Sequence, residues 1–404
     1  MMTTSEQMQG RLTTDENAFE RVQGRLPLTI EAITPEWLTS VLSGYAPGIV
    51  VNGVELVTER HGFTTVLRLR VDVNEAGRRA GIGPTLMVKG GFEEHSPSRA
   101  RTYAMEAIAY RDIWPELELN VPTTYFVDIE PESRQVIILM EDLLARDVVF
   151  GDSFKPHTFE QGMAYMGALA ALHAKTWESP DIKPGGKWES TSRFSYGESR
   201  WEGVANNSAA MLRDYLTTFD YFTPGVWNKF LAMPRCAAIS LHLLDLGWAH
   251  DALKVCADLM DALPQCIVHG DMHLGNLYWD ADGTPGFYDA PPRVEPGLAE
   301  VVYYLACCFD PADRRAWEAE LLRHYLAELA RLGVAEPPSF DEAKRYMAIF
   351  LTYGLIVFII NENTYQTESF NTLHCMRYSS AMIDYDSVAI IADALKSGVY
   401  LKKG

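Results

Sequence analysis

Asp271, Asn276 and Asp289 are the residues on which chemistry can be built. The first two lie in Val268-His269-Gly270-Asp271-Met272-His273-Leu274-Gly275-Asn276, and Asp289 follows thirteen residues after the Asn. This spacing sets an acid and an amide on one short loop, with a second acid one hairpin away. Phosphoryl transfer from a nucleotide needs such a set. One carboxylate orients and deprotonates an attacking hydroxyl, while an amide oxygen and another carboxylate hold the metal ions that neutralise the phosphates.

The flanking residues must position these groups. Cys266-Ile267-Val268 is a short apolar run leading into the loop. Leu277-Tyr278-Trp279 and Gly286-Phe287-Tyr288 read as strands around Asp280-Ala281-Asp282-Gly283, and an Asp-Gly turn between such segments is a strong hairpin signal. The hairpin brings Asp289 back beside Asn276. Asp271 is then the base, with Asn276 and Asp289 as ligands for Mg2+. His269 and His273 are four residues apart, but a zinc pair at that spacing needs a helix, and Gly270-Asp271 makes a loop. His269 is expected to brace the loop through a backbone hydrogen bond. His273 is expected near the acceptor or the Asp271 carboxylate and counts with Asp271 as a catalytic candidate.

These residues resemble the aminoglycoside phosphotransferase/choline kinase superfamily, whose signature is His-Gly-Asp-x-His-x-x-Asn followed by a metal-binding Asp. Within it the chain resembles the ecdysteroid-kinase-like and bacterial putative phosphotransferase branch. Further matches run in order from about residue 55 to 310. Leu86-Met87-Val88-Lys89 resembles the strand with the nucleotide-phosphate lysine, and Tyr103-Ala104-Met105-Glu106 the helix whose Glu pairs with it. Val121-Pro122 resembles the entry to the next strand. Ile138-Leu139-Met140-Glu141-Asp142-Leu143 resembles the hinge where backbone groups hold adenine, which assigns Glu141 and Leu143 to nucleotide binding. Leu169 to Trp177 resembles the Leu-His-Ala-x-x-Trp helix. The resemblance implies a bilobal, protein-kinase-like α+β fold. A small antiparallel-sheet lobe spans residues 1–140 and a larger, mostly helical lobe spans 141–404. It also implies ATP or GTP with Mg2+, and a small-molecule hydroxyl as acceptor. Two departures stand out. Ala290-Pro291-Pro292 replaces a common Trp after the metal-binding Asp, and Glu300 stands where relatives have an Asp before an apolar helix.

The net charge of -19 argues against a nucleic-acid partner. The six Cys have no Cys-x-x-Cys spacing, and reduced thiols in a cytoplasmic protein are expected. No secretory signal is read at the N-terminus. The longest apolar stretch, Ala348–Ile360, reads as a core helix and not a membrane span, because about 20 residues are needed to cross a bilayer.

Residues 1–25 read as a polar arm, and Thr34-Pro35 opens a short helix. Val51–Val73 reads as two strands with a bend at Gly62-Phe63-Thr64-Thr65. Gly62, Thr64 and Thr65 are candidates for covering the triphosphate, alongside a plain hairpin reading. A helix is expected over 99–113, and another over 158–177, opened by the capping box Thr158-x-x-Gln161 with Gly162 and Gly167 packed closely and His173 in the core. Residues 180–200 read as a long loop. Helices are expected over 206–220, 236–262, 313–333, 340–361 and 375–397. The segment 190–235 holds four acids (Glu198, Glu202, Asp214, Asp220) against five bases (Arg193, Arg200, Arg213, Lys229, Arg235). Trp188, Phe194, Tyr196, Trp201, Tyr215, Phe219, Tyr221, Phe222 and Trp227 lie in or beside it. That composition points to a partly apolar acceptor and away from a polycation. The alternatives to a small-molecule kinase are a nucleotide-binding pseudokinase and a kinase-fold enzyme with diverged chemistry on an unusual metabolite.

Overall fold

The computed structural model describes residues 26–130, 132–188, 190–191, 205–289 and 291–398. The polar arm, Ala290 and the aromatics Phe194, Tyr196 and Trp201 lie outside them, as do Arg193, Glu198, Arg200 and Glu202. By its internal contacts the chain divides into two units. One comprises Met1–Ala100 with Thr123–Ala145, the other Arg101–Pro122 with Arg146–Gly404. The residues of the expected Glu106 helix therefore fall mostly with the second unit.

The first unit is an antiparallel sheet. Its strands are β1 (Val51–Arg60), β2 (Thr65–Val73), β3 (Thr85–Gly90), β4 (Thr124–Glu130) and β5 (Gln135–Glu141), in the order β1-β2-β3-β5-β4. Alternation makes the strands: Leu67, Leu69, Val71 and Val73 of β2 are buried at every second position. They join Leu86, Val88, Ile137 and Leu139 against Leu38 and Leu42 of helix α1 (Pro35–Tyr45). Thr34 caps α1 by accepting the Trp37 N–H at 3.2 Å, with Pro35 at the first helical position. A short helix, α2 (Glu75–Arg79), joins β2 to β3. Asp142, just past β5, is buried and accepts from Arg68 (2.7 Å) and the Thr85 hydroxyl (2.6 Å), which ties the end of β5 to β2 and β3.

Helix α3 (Ser96–Ile108) carries Glu106 and runs into a π-helical turn, Ala109–Ile113, before α4 (Trp114–Leu117). The single helix expected over 99–113 is thus interrupted at its end. The second unit continues with short strands β6 (Val149–Phe150), β7 (Ser190–Thr191), β8 (Ala205–Asn207), β9 (Cys266–Val268), β10 (Leu277–Trp279), β11 (Pro285–Phe287) and β12 (Arg293–Glu295). They form two small sheets, β11-β10-β6 and β7-β8-β12-β9. Its helices are α5 (Phe159–Thr176), α6 (Ser208–Thr217), α7 (Pro224–Leu231), α8 (Leu246–Ala262), α9 (Gly297–Cys308), α10 (Pro311–Arg331), α11 (Phe340–Ile360), α12 (Glu368–Asp384) and α13 (Ser387–Ser397). The fold is α+β, a small antiparallel sheet with a larger, mostly helical part.

Local signals place several of these helices. The Thr158/Gln161 capping box opens α5, and a Cβ at Gly162 would stand 2.8 Å from Phe309 and 3.0 Å from Leu321, so close packing does require that glycine. At Gly167 the nearest atom is His324 Nε2 at 3.7 Å, so the second glycine is not forced in the same way. The helix expected over 236–262 begins only at Leu246, where Asp245 accepts the Trp248 N–H at 2.8 Å. The preceding turn is held instead by Arg235. Its buried guanidinium donates to the Phe358 carbonyl at 3.0 Å, closes on the Asn361 carbonyl at the end of α11, and pairs with Glu368. The helix expected over 375–397 is two helices, broken where Asp386 adopts φ +51°.

Helix α11 is longer than its apolar stretch suggests. Its 21 residues have the length and composition to cross a membrane, yet 78 % of its most apolar 18-residue window is buried against the other helices. All six cysteines are free and buried, and burial pushes the Cys236 thiol up to about 11. At the crossing of α11 and α12, Gly354 faces Tyr378, and a Cβ there would come within 2.0 Å of the tyrosine ring. Gly354→Ala should lower stability by about 1–3 kcal/mol through overpacking. Gly225→Ala, where nothing lies within 4 Å of the new Cβ, should leave stability nearly unchanged. Thermal denaturation followed by circular dichroism compares the two; equal midpoints would show that the α11–α12 contact yields without cost.

Candidate active site

The loop begins where β9 ends. β9 pairs antiparallel with β12, Val268 opposite Arg293, and that pairing fixes the strand leading into Gly270. Gly270 has φ +95°, and a Cβ would lie 2.3 Å from the Pro291 carbonyl oxygen. Glycine is required there for conformation and for close approach.

A buried carboxylate then holds the loop. Glu300, in the first turn of α9, accepts the Gly270 N–H at 2.6 Å through Oε1 and the His269 N–H at 3.2 Å through Oε2. Oε2 also faces His173 Nε2 at 3.0 Å, and His173 Nδ1 faces the Tyr325 hydroxyl at 2.9 Å. Burial raises the Glu300 pKa, but the hydrogen bonds from His173 and the Gly270 amide help to outweigh it and hold the carboxyl below its usual range. Both histidines are fully buried. His269 accepts the Asp271 N–H on Nδ1 (3.2 Å), which leaves Nε2 to donate to the Tyr288 carbonyl (3.1 Å). His269 is therefore the backbone brace expected of it, and it ties the loop to the strand returning from the hairpin.

Asp271 is about a third exposed. Its Oδ1 accepts the Tyr303 hydroxyl at 3.1 Å, and its Oδ2 accepts Asn276 Nδ2 at 3.1 Å, with His273 Nε2 at 3.5 Å. His273 accepts the Gly275 N–H on Nδ1 at 3.0 Å, which turns an Nε2–H toward the carboxylate. Burial raises the Asp271 pKa. The nearby His273, Arg293 and His269 oppose this more strongly and hold the carboxyl below the usual carboxylate range. Behind these groups stands an aromatic wall. The Tyr303 ring packs on Tyr353 and Phe358 at 5.9 Å, and His273 packs edge-on against Phe370 at 5.2 Å.

The β10–β11 hairpin forms as expected, with Tyr278 opposite Gly286. It returns the chain beside Asn276, whose carbonyl accepts the Tyr288 N–H at 3.0 Å. Asn276 is buried and spends its amide nitrogen on the Asp271 carbonyl and carboxylate, which leaves its amide oxygen for another partner. Asp289 is exposed and adopts φ +55°, a left-handed conformation uncommon for a residue with a side chain. Tyr110, in the π-helical turn, is buried, and the charges of both Glu106 and Asp289 act on it, so these two acids flank one tyrosine. Hard oxygen donors suit Mg2+, which takes one or two protein carboxylates and completes its shell with phosphate and water. Among the described residues no three His, Cys, Asp or Glu gather into a closed metal cage. Asn276 and Asp289 fit that open kind of site.

The remaining candidates lie in the first unit. Lys89 is on β3, opposite Val66 and Ile138. Glu141 closes β5, its carboxyl accepting the Thr123 N–H at 2.7 Å, and Leu143 is buried in the turn that follows. Gly62, Thr64 and Thr65 lie at the β1–β2 bend. Thr65 is fully buried and its hydroxyl donates to Glu93 at 2.5 Å, so this side chain is already committed. Tyr303 and Arg293 belong to no motif. An apolar helix gives no signal that the Tyr303 hydroxyl bonds Asp271, nor a strand that the Arg293 charge acts on it.

Residues 60–333 match the model of the ecdysteroid kinase-like family, more than half of the chain. No curated protein matches it. Among solved structures the chain is similar to choline kinase LicA from Streptococcus pneumoniae, at 10% identity and a TM-score of 0.46, covering 88% of this chain and 98% of that one. It is also similar to an aminoglycoside-3'-phosphotransferase of type VIII, at 16% identity, a TM-score of 0.42 and coverages of 79% and 98%. A third is amicoumacin kinase hAmiN in complex with AMP-PNP, Ca2+ and Ami, at 12% identity, a TM-score of 0.44 and coverages of 84% and 88%.

If Glu300 sets the loop, Glu300→Gln should lower the melting temperature and speed hydrogen exchange at the Gly270 amide. Each hydrogen bond to a charged acceptor contributes roughly 1.5–3 kcal/mol. Exchange mass spectrometry of the 266–276 peptide reads this, and unchanged protection would show that the loop is held by something else.

Proposed function

The chain belongs to the ecdysteroid kinase-like family, and on that footing we propose that it transfers the γ-phosphate of ATP or GTP to a hydroxyl of a small molecule. The single observation that carries the reading is the Asp271 carboxylate, bound by Asn276, His273 and Tyr303 on a loop whose hairpin returns Asp289 beside Asn276.

In this reading the acceptor hydroxyl lies against Asp271. Its oxygen attacks the γ-phosphorus, the bond from that phosphorus to the bridging oxygen of the β-phosphate breaks, and the hydroxyl proton passes to the Asp271 carboxylate. A carboxyl held below its usual range is a weak base in the ground state. It therefore serves mainly to orient the hydroxyl and to take the proton as the phosphorus–oxygen bond forms. Asn276 and Asp289 would hold Mg2+, which supplies charge neutralisation at the phosphates. Lys89 would bind phosphate. The end of β5 at Glu141 and Leu143 would hold the base, and the Gly62-Thr64-Thr65 bend would cover the phosphates. The retained Asp271, Asn276, Asp289 and Lys89 support turnover over a pseudokinase role.

Asp271→Asn should fold, bind nucleotide and lose kcat by roughly 10²- to 10⁴-fold, the usual worth of a general base. The assay is nucleotide turnover with an acceptor library, and a rate within threefold of the parent would remove Asp271 from the base role. Asp289→Ala should abolish the Mg2+ dependence of nucleotide binding measured by calorimetry. If Mg2+ strengthens binding equally in this variant, the metal ligand lies elsewhere.

A further inference from the structure

Arg293 lies beside the proposed base without being bonded to it. On β12 it pairs with Val268, and its side-chain stem covers the open face of Gly270, where a Cβ would lie 3.0 Å from its Cγ. Its charge acts on Asp271, Glu295, Tyr215 and Tyr353. Only one hydrogen-bond partner is found among the described residues: Nη1 donates to the Tyr353 hydroxyl, and the guanidinium lies 5.5 Å from that ring's centre. Among the described residues no carboxylate lies within ion-pair distance. Glu295, two residues on, gives its carboxyl to the Ser208 hydroxyl instead. Asp271 spends its own oxygens on Tyr303, Asn276 and His273.

A guanidinium carries five N–H donors, and here one is used. Arg293 is half-buried. A partly exposed guanidinium with most of its donors unspent by the protein can give them to a ligand. Structural arginines in the same unit show the contrast: Arg235 and Arg377 are buried and spend their guanidinia on carbonyls and carboxylates. Planar, paired donors match a carboxylate in two-pronged geometry. The Tyr353 ring lies 5.5 Å from the guanidinium, whose charge also acts on the half-buried Tyr215.

We propose that Arg293 is an acceptor-binding residue, and that the acceptor is a hydroxy acid with an apolar body, its carboxylate on Arg293 and its hydroxyl at Asp271. This rests on the kinase reading of the same site and narrows its acceptor. A polycation is a poor fit, because a guanidinium beside the base repels an ammonium group.

The test uses the full-length protein with matched acceptors on one aromatic and one alicyclic skeleton: a hydroxy acid, its methyl ester and the corresponding amino alcohol. The parent enzyme should favour the acid over the ester and the amino alcohol by roughly tenfold or more in kcat/KM. Arg293→Gln should bring the acid-to-ester ratio close to one, mainly through the acceptor KM, and Arg293→Lys should fall between. Equal use of ester and acid by the parent overturns the inference and leaves the kinase reading standing. So does a variant that raises the nucleotide KM with the ratio unchanged, which would put Arg293 on the phosphates. If the parent turns over none of the acceptors, the kinase reading fails on this panel. Calorimetry of the hydroxy acid then decides Arg293 alone: binding lost in Arg293→Gln upholds it, and no binding to the parent refutes it.

Discussion

One buried carboxylate organises the loop that carries Asp271 and Asn276. Glu300 has no solvent to satisfy it, so its stability depends on three partners: the Gly270 and His269 amides and the His173 ring. The constraint runs both ways. Two consecutive backbone N–H groups at a tight bend would be orphaned without the acid. His173, from the last turn of α5, and Tyr325, from α10, are drawn in to complete the set, and Gly297 leaves room for them: a Cβ there would lie 2.6 Å from His173 and 2.7 Å from the Tyr325 hydroxyl. Three helices thereby fix one bend. The longer Glu in place of an Asp keeps the charge, and its two oxygens span adjacent amides.

The loop geometry was legible in the sequence because its signals are local. Asp-x4-Asn, the Asp-Gly turn and a glycine before the acid each constrain a few neighbouring residues, and the structure builds the loop and hairpin they specify. Caps were legible for the same reason, at Thr34 and at Thr158-Gln161. The misses are long-range. Tyr303 bonds Asp271, and the Arg293 charge acts on it, only after α9 and β12 have packed, and Thr65 meets Glu93 across 28 residues. The break at Asp386 depends on how α12 and α13 pack in the same core, and helical composition on both sides hides it. Arg235 looked like one charge of an acceptor segment, yet it is spent on the end of α11.

Among the described residues, the aromatics between 205 and 235 include two kinds. Trp227 is buried, with its indole N–H donating to the Leu244 carbonyl at 2.9 Å, and it serves the core. Tyr215, Phe219 and Tyr221 are only half-buried and pack on one another, Phe219 and Tyr221 stacked at 5.1 Å. An aromatic cluster that keeps part of its surface in water is a different object from a core. It retains free energy that a partly apolar molecule can gain by covering it.

The six cysteines carry a practical consequence. Each thiol is buried and unpaired, so alkylating dyes and mild oxidants meet no reactive sulfur on the folded chain. An added surface cysteine would then take a fluorophore or spin label alone, with no need to strip the native ones. The native thiols become a clock: Cys307 and Cys308 sit in α9 on the helix that carries Glu300, and the rate at which they label measures how often that helix leaves the core.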